Sequence, residues 1–275
     1  MTIFKSLREA GIEPIVTIFH WDLIEYLGLL RGWMNPRMAD CIGQYVRISF
    51  KYFGEYIKYW VSLNEPNINC IFSYEEGTLA LGLQFSGQDV YQCAYTQVLS
   101  HTTGAFKLLN VKFSYNQFTI NQPVGEDYYS APSMAQYSAY VTSTDPSWLH
   151  SSDGRFVSDS NGFRSIINFV NDCYKPKEIF ITENGWSDTG ELEDNNRITY
   201  LNDSLNGILN SIVIDGVNVK GYTMWSLLDN FEWTSGYMSK FGIVQVDFDS
   251  PNRTRTLKKS AEWYQNVVAT GRLDK

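Results

Sequence analysis

The chain has 275 residues, 44% of them hydrophobic, and a formal net charge of −8 at pH 7. That length and apolar content build one large core, or at most two small domains. Lys and Arg form no run, which argues against nucleic acid and anionic membrane surfaces as partners.

Residues 2–11 read as an amphipathic helix stopped by Gly11. Charges are spread through this stretch and it has no apolar centre, so a helix is expected rather than a signal peptide. "EPIVTIFHWD" follows, a nearly unbroken apolar run of the kind found in strands covered on both faces. Residues 38–57 return to helical spacing, and "KYWVSLNEP" is a second buried strand. Residues 87–109 form a long helix and "VKFSYNQFTI" a weaker strand. Residues 123–160, rich in Ser, Tyr, Asp and Pro, read as a long surface loop. A helix over 161–175 leads into "KEIFITENG", a third buried strand. Residues 195–215 are helical, "NVKGYTMWSLLDN" is a strand, "KFGIVQVDF" a short β segment, and 256–270 a closing helix. No segment reaches the ~18 apolar residues of a membrane span.

Alternating strands and helices with two-sided burial predict an α/β fold with a parallel sheet. Polar residues stand just after the strands: His20 and Asp22, Asn64 and Glu65, Asn116, Glu183 and Asn184, Asp229 and Asn230. In a (β/α)8 barrel the carboxyl ends of the strands face one common site. An open doubly wound sheet also binds ligands there, but no Gly-rich phosphate loop follows any strand. The four cysteines form no Cys-x-x-Cys pair and the three histidines lie far apart, so no metal site is expected. Free buried thiols are the expected state, with one disulfide as the alternative. Glycosylation sequons occur at Asn202 and Asn252. Eight Trp suit either a core or the lining of a sugar pocket.

Two of the strand ends carry a glutamate, Glu65 in "LNEP" and Glu183 in "ITENG". A pair of carboxyl groups flanking a glycosidic bond can cleave it, one giving a proton to the leaving oxygen and the other attacking the anomeric carbon or activating water. Each has a structural alternative. Glu65 precedes a Pro suited to a first helical turn, and Glu183 can pair with an Arg. The two together, with His, Asn and Trp at other strand ends, favour the catalytic reading.

"LNEP", "ITENG" and "WSLLDNFEW" resemble the signatures of the family 1 glycoside hydrolases, the retaining β-glucosidases. "VTIFHWDL", "RGWMNP" and "KFGIVQVDF" match further segments of that family, and the wording is similar to its animal branch, which includes lactase-phlorizin hydrolase-like proteins and insect β-glucosidases and myrosinases. The resemblance implies a TIM barrel over a single domain, residues 1–275, that hydrolyses small β-glucosides without a cofactor. It implies Glu183 as nucleophile and Glu65 as acid, then base. Asn64 would meet the sugar 2-hydroxyl, and His20 and Trp21 its 3-hydroxyl side. Trp225 would stack under the ring, Glu232 and Trp233 would read the 4- and 6-hydroxyls, and Phe241 would close the pocket. Asn116 takes the family's place in the sixth strand. "FEW" argues against the phospho-sugar branch. Glu65, where plant myrosinases carry Gln, argues for acid-assisted cleavage.

The resemblance also implies departures. The first, second and fifth barrel strands are expected to be missing, and with the first two go a sugar-binding Gln and the Arg beside the nucleophile. Phe118 stands where the family has a Tyr that bonds the nucleophile. Ile24, Arg31 and Glu55-Tyr56 are smaller differences. The alternative that follows is a catalytically inactive chain that binds a glycoside or a protein. Compartment, aglycone and oligomeric state have no signature in the sequence.

Overall fold

The computed structural model describes residues 2–85, 87–102 and 144–273. The strand expected at "VKFSYNQFTI", with Asn116 and Phe118, lies outside them, as do the end of the 87–109 helix and most of the 123–160 loop. The chain divides into two compact units, residues 1–142 and 143–275.

The first unit opens with α1 (Thr2–Glu9). Gly11 follows at φ +74°, and the amide of Ile12 closes back onto the Leu7 carbonyl at 2.8 Å. This left-handed stop is the one the sequence implies, because a residue with a Cβ is strained there. Next come β1 (Ile15–Phe19), α2 (Glu25–Leu29), a 3-10 turn at Gly32–Met34, α3 (Met38–Phe53) and β2 (Tyr59–Leu63). Then α4 (Pro66–Cys70) runs into a π turn (Ile71–Glu75), and α5 (Gly87–Thr102) follows. β1 and β2 pair in parallel, with Ile15 opposite Tyr59 and Phe19 opposite Leu63. α3 turns Met38, Ala39, Ile42, Gly43, Val46 and Ser49 inward, the spacing of one helical face. Phe19 meets Trp33 edge-on at 4.9 Å, and Phe50 packs on Trp60 at 4.4 Å.

Two expectations need correction here. Two-sided burial holds for β2, but β1 is covered only at its carboxyl end, and Ile15 is 43% exposed. Among the described residues β1 pairs with β2 alone, and α1 buries none of its own residues. The cysteines are not all free. Cys70 and Cys93 form a disulfide that ties α4 to α5, while Cys41 is half-buried and Cys173 exposed. A separation of 23 residues carries no code in the sequence; only the packing of the two helices brings the sulfurs together.

The second unit contains α6 (Ser160–Tyr174), β3 (Ile179–Ile181), α7 (Asn195–Val213), β4 (Val219–Tyr222), β5 (Val244–Val246), β6 (Arg255–Leu257) and α8 (Lys259–Thr270). Asp159 caps α6 by accepting from the Asn161 amide at 3.0 Å. β3 and β4 pair in parallel, and β5 and β6 antiparallel. One apolar cluster gathers Trp186, Tyr200, Leu201, Met224, Ile243, Val244 and Ala261, and a second forms around Ile167, Ile208 and Val217.

β4 is much shorter than the expected 218–230 strand. After Tyr222 the regular strand ends but the chain runs on beside the segment that follows β3, with the Thr223 amide on the Ile181 carbonyl and the Trp225 amide on the Asn184 carbonyl, both at 2.8 Å. β6 is absent from the sequence reading because all three of its residues are exposed, so no alternation marks it. Among the described residues no helix is long and apolar enough to cross a membrane.

Candidate active site

The parallel register of β1 and β2 decides where the first predicted residues fall. Phe19 and Leu63 are partners, so His20-Trp21 and Asn64-Glu65 emerge side by side at the carboxyl ends of the two strands. The Asn64 amide donates to the Phe19 carbonyl at 2.9 Å, and the Trp21 indole N–H donates to the Asn64 carbonyl at 3.0 Å. Asn64 and Trp21 are buried, while His20 and Glu65 are half-buried. Glu65 directly precedes α4 with Pro66 in the first turn, but its side chain makes no capping hydrogen bond to that helix. The helix-cap alternative therefore does not account for its carboxylate.

In the second unit, Glu183 and Asn184 follow β3 and Trp225 follows β4. Gly185 and Trp225 form a parallel bridge. A Cβ on Gly185 would lie 2.3 Å from the Trp225 carbonyl oxygen, so only glycine allows this approach. Beside the nucleophile candidate, Asn184 is fixed from both ends. The Tyr222 hydroxyl donates to its Oδ1 at 2.7 Å, and its Nδ2 donates to the Tyr200 hydroxyl at 2.9 Å. Burial pushes the Tyr200 phenol up to about 12 and the Tyr222 phenol well above its ordinary range, so both hydroxyls stay protonated at physiological pH, Tyr222 donating to Asn184 and Tyr200 accepting from it.

Glu232 stands just before the 3-10 turn Trp233–Ser235. Its Oε1 lies 3.4 Å from Arg155 Nη1. Burial pushes the Glu232 carboxyl up, the like charges of Asp153 and Glu183 push the same way, and Arg155 pulls it back. Glu183, Glu232 and Asp153 thus share one electrostatic neighbourhood. Arg155 also donates to Asp153 through Nε at 2.8 Å, and its Nη2 lies 2.7 Å from the same carboxylate. Burial opposes ionisation of Asp153, but hydrogen bonds from groups including Arg155 and Ser151 hold it at about 2. The guanidinium lies 5.4 Å from the centre of the Phe241 ring and 5.6 Å from that of Phe156. Phe241 is buried and meets Phe156 edge-on at 5.7 Å.

Below these residues runs a buried ionic network. The Arg197 guanidinium is fully buried and donates to Asp194 at 2.8 Å, to Asp188, and to the carbonyls of Trp186, Phe241 (2.7 Å) and Lys240 (3.2 Å). Lys258 Nζ donates to both oxygens of Asp188, at 2.9 and 3.1 Å. Asp229, which the sequence marks as a strand-end carboxylate, accepts instead from the Gly242 amide at 2.9 Å and the Val246 amide at 3.3 Å. It is a brace for the 240s segment. A cavity of about 460 Å³ lined by His150, Trp186, Glu191 and Asp194 borders this network and contains none of the predicted site residues.

Six non-glycine residues have positive φ among the described residues: Trp21, Arg31, Glu65, Lys175, Trp233 and Arg253. Three of them, Trp21 (75°), Glu65 (40°) and Trp233 (47°), are residues that the sequence marks for the site. Backbone strain of this kind persists where surrounding structure enforces it and clusters at functional sites.

The first unit thus gathers His20, Trp21, Asn64 and Glu65. The second brings Trp225 against Gly185, two residues past Glu183, and places Glu232 within the field of Glu183 and Phe241 beside the arginine that pairs with Glu232. Arg155, Arg197 and Lys258 had no signal in the sequence, since each has a partner far along the chain, Glu232, the Phe241 carbonyl and Asp188 at 77, 44 and 70 residues. Among the described residues no group of three His, Cys, Asp or Glu is placed to hold a metal ion.

Comparison with known proteins identifies the family of the chain. The profile described as glycosyl hydrolase family 1 matches residues 1–122 and 113–272. Myrosinase 1 of Brevicoryne brassicae is 30% identical over 362 residues, an alignment that covers 98% of this chain and 77% of the myrosinase. The solved aphid myrosinase superposes with a TM-score of 0.85 at 28% identity, covering 98% of this chain and 78% of its own. A family 1 β-glucosidase from Thermotoga maritima gives a TM-score of 0.86 at 28% identity, over all of this chain and 77% of the enzyme.

Proposed function

The chain belongs to glycosyl hydrolase family 1, and from that premise we propose that it cleaves small β-glucosides by double displacement through Glu183 and Glu65. The observation that carries the reading is the placement of each carboxylate directly beyond the carboxyl end of a parallel strand, beside the Asn, His and Trp that a sugar requires. In the first step the Glu183 carboxylate attacks the anomeric carbon while Glu65 gives its proton to the departing aglycone oxygen. In the second, Glu65 takes a proton from water, the water oxygen bonds to the anomeric carbon, and Glu183 leaves as a free carboxylate.

Asn64 bonds the sugar 2-hydroxyl, a contact that strengthens as positive charge develops on the ring. Its side chain stands in a fixed place because its backbone is tied to both Phe19 and Trp21. His20 and Trp21 receive the 3-hydroxyl side, and Asn116 adds a further polar group. Trp225 forms the platform under the ring, Glu232 and Trp233 take the 4- and 6-hydroxyls, and Phe241 closes the pocket. Residues 1–275 belong to one glycoside hydrolase domain of (β/α)8 type in which the counterpart of the fifth strand is missing. An aligned span of 362 residues against a chain of 275 supports segments in the relatives that this chain does not carry.

The test is hydrolysis of a nitrophenyl β-glucoside. The intact chain turns it over, Glu65→Gln slows it, and Glu183→Ala abolishes it until azide is added as a replacement nucleophile. Unchanged activity in Glu183→Ala refutes the assignment. One observation favours a second reading, a chain that binds glycosides without cleaving them: Phe118 provides no hydroxyl for the nucleophile. Soluble protein that binds deoxynojirimycin, an inhibitor solved with the Thermotoga maritima β-glucosidase, yet releases no nitrophenol supports that second reading.

A further inference from the structure

Arg155 comes from a stretch that the sequence marks only as surface loop, but it is held firmly. The Ser151 amide donates to the Phe156 carbonyl at 2.9 Å, the Phe156 amide donates to Ser151 Oγ at 3.0 Å, and the Ser158 amide donates to the Leu149 carbonyl at 3.0 Å. Asp153 is braced in turn, accepting from Ser151 Oγ at 2.9 Å and Ser239 Oγ at 3.2 Å. With Nε and Nη2 both engaged by this carboxylate, the guanidinium plane cannot rotate freely. Its remaining nitrogen, Nη1, faces Glu232 Oε1 across 3.4 Å. The side chain of Glu232 is 11% exposed and that of Arg155 is 44% exposed, so the arginine covers the carboxylate from the solvent side.

A half-buried carboxylate with Asp153 and Glu183 as like-charged neighbours is driven toward protonation or toward a different rotamer. Either change spoils an acceptor for sugar hydroxyls. Arg155 is the cation that the described residues set against this tendency, aimed by Asp153 and backed by the faces of Phe156 and Phe241.

We propose that Arg155 is a positioning residue for Glu232, clamping its carboxylate in the orientation that accepts hydrogen bonds from the sugar's 4- and 6-hydroxyls and so setting selectivity for a glycone that carries both. The proposal rests on the reading of Glu232 as a glycone contact. Arg155 touches Glu232, not the reacting atoms.

The experiment is calorimetric titration with deoxynojirimycin and with its pentose-type counterpart that lacks the hydroxymethyl group. Arg155→Met weakens deoxynojirimycin binding about tenfold, the worth of one oriented charge-assisted hydrogen bond. It weakens the counterpart by less than about threefold, since half of what Glu232 reads is missing there. Arg155→Lys recovers only part of the loss, because an ammonium cannot bridge two carboxylates in one plane. In a Glu232→Gln background Arg155→Met changes nothing further. Equal weakening of both ligands, or an undiminished effect in that background, overturns the proposal.

If the unmodified chain binds neither ligand, the glycosidase reading fails separately. The clamp is then judged by carbon NMR of protein labelled at its glutamate carboxyls. The signal lost in Glu232→Gln titrates at higher pH in Arg155→Met than in the parent, because a cation has been removed from an acid. An unmoved titration overturns the pairing.

Discussion

Arg197→Met is the most informative single change in the second unit. Methionine fills a similar volume but donates nothing. The substitution removes five hydrogen bonds from a guanidinium that is fully buried: to Asp188, to Asp194 and to the carbonyls of Trp186, Lys240 and Phe241. The losses are not additive, because some acceptors keep other partners. Asp188 retains Lys258 at 2.9 and 3.1 Å, and Asp194 retains the Ser260 amide at 2.9 Å. The governing cost is a buried carboxylate deprived of its counter-charge, about 3–5 kcal/mol. Against a total stability of about 5–15 kcal/mol this is a large fraction. The urea midpoint should fall by on the order of 1–2 M, followed by circular dichroism. Adding Asp194→Asn, which neutralises the stranded charge, should make the double variant more stable than the sum of the single effects by about 0.5–3 kcal/mol. A loss below about 1 kcal/mol in Arg197→Met, or strict additivity in the pair, refutes the view that this network holds the loops carrying Trp186 and Phe241.

Two other changes probe the backbone contact and the acid limb. Gly185→Ala places a methyl 2.3 Å from the Trp225 carbonyl oxygen, so the chain must shift. The expected cost is about 1–3 kcal/mol in urea unfolding, with a larger proportional loss of deoxynojirimycin affinity because Trp225 moves; intact affinity contradicts this. Asp153 is held at about 2 when folded, below its ordinary 3.8. Its contribution to stability is therefore complete above about pH 4 and is lost as pH falls through 2. Asp153→Asn should flatten the stability profile between pH 4 and 2, and an unchanged acid limb counts against the Arg155 and Ser151 contacts.

The features legible in the sequence were those that depend on neighbours close along the chain. β2 and β3 announce themselves as apolar runs broken by Asn and Glu, and α3 by its buried positions at helical spacing. The residues proposed for the site were readable for the same reason, since each follows the run that positions it. What stayed hidden depends on chain segments meeting in space. Lys258 and Asp188 are 70 residues apart, and neither has a local context that predicts a buried charge. Arg155 sits among Ser, Asp and Gly, which describe a turn and say nothing of Glu232. β6 shows no pattern because it buries nothing. An apolar run reports hydrophobicity, not what lies over it, so the start of β1 is exposed and β3 is half-buried where the sequence predicts buried strands.

The left-handed conformations at Trp21, Glu65 and Trp233 have a consequence for anyone who improves this protein by selection. At each position glycine relieves a backbone penalty of order 1 kcal/mol or more. A library sorted for thermal tolerance alone would enrich glycine at these three places. It would deliver robust variants that had shed the side chains proposed to meet the sugar. Any such screen on this scaffold therefore has to be counter-selected on ligand capture from its first round.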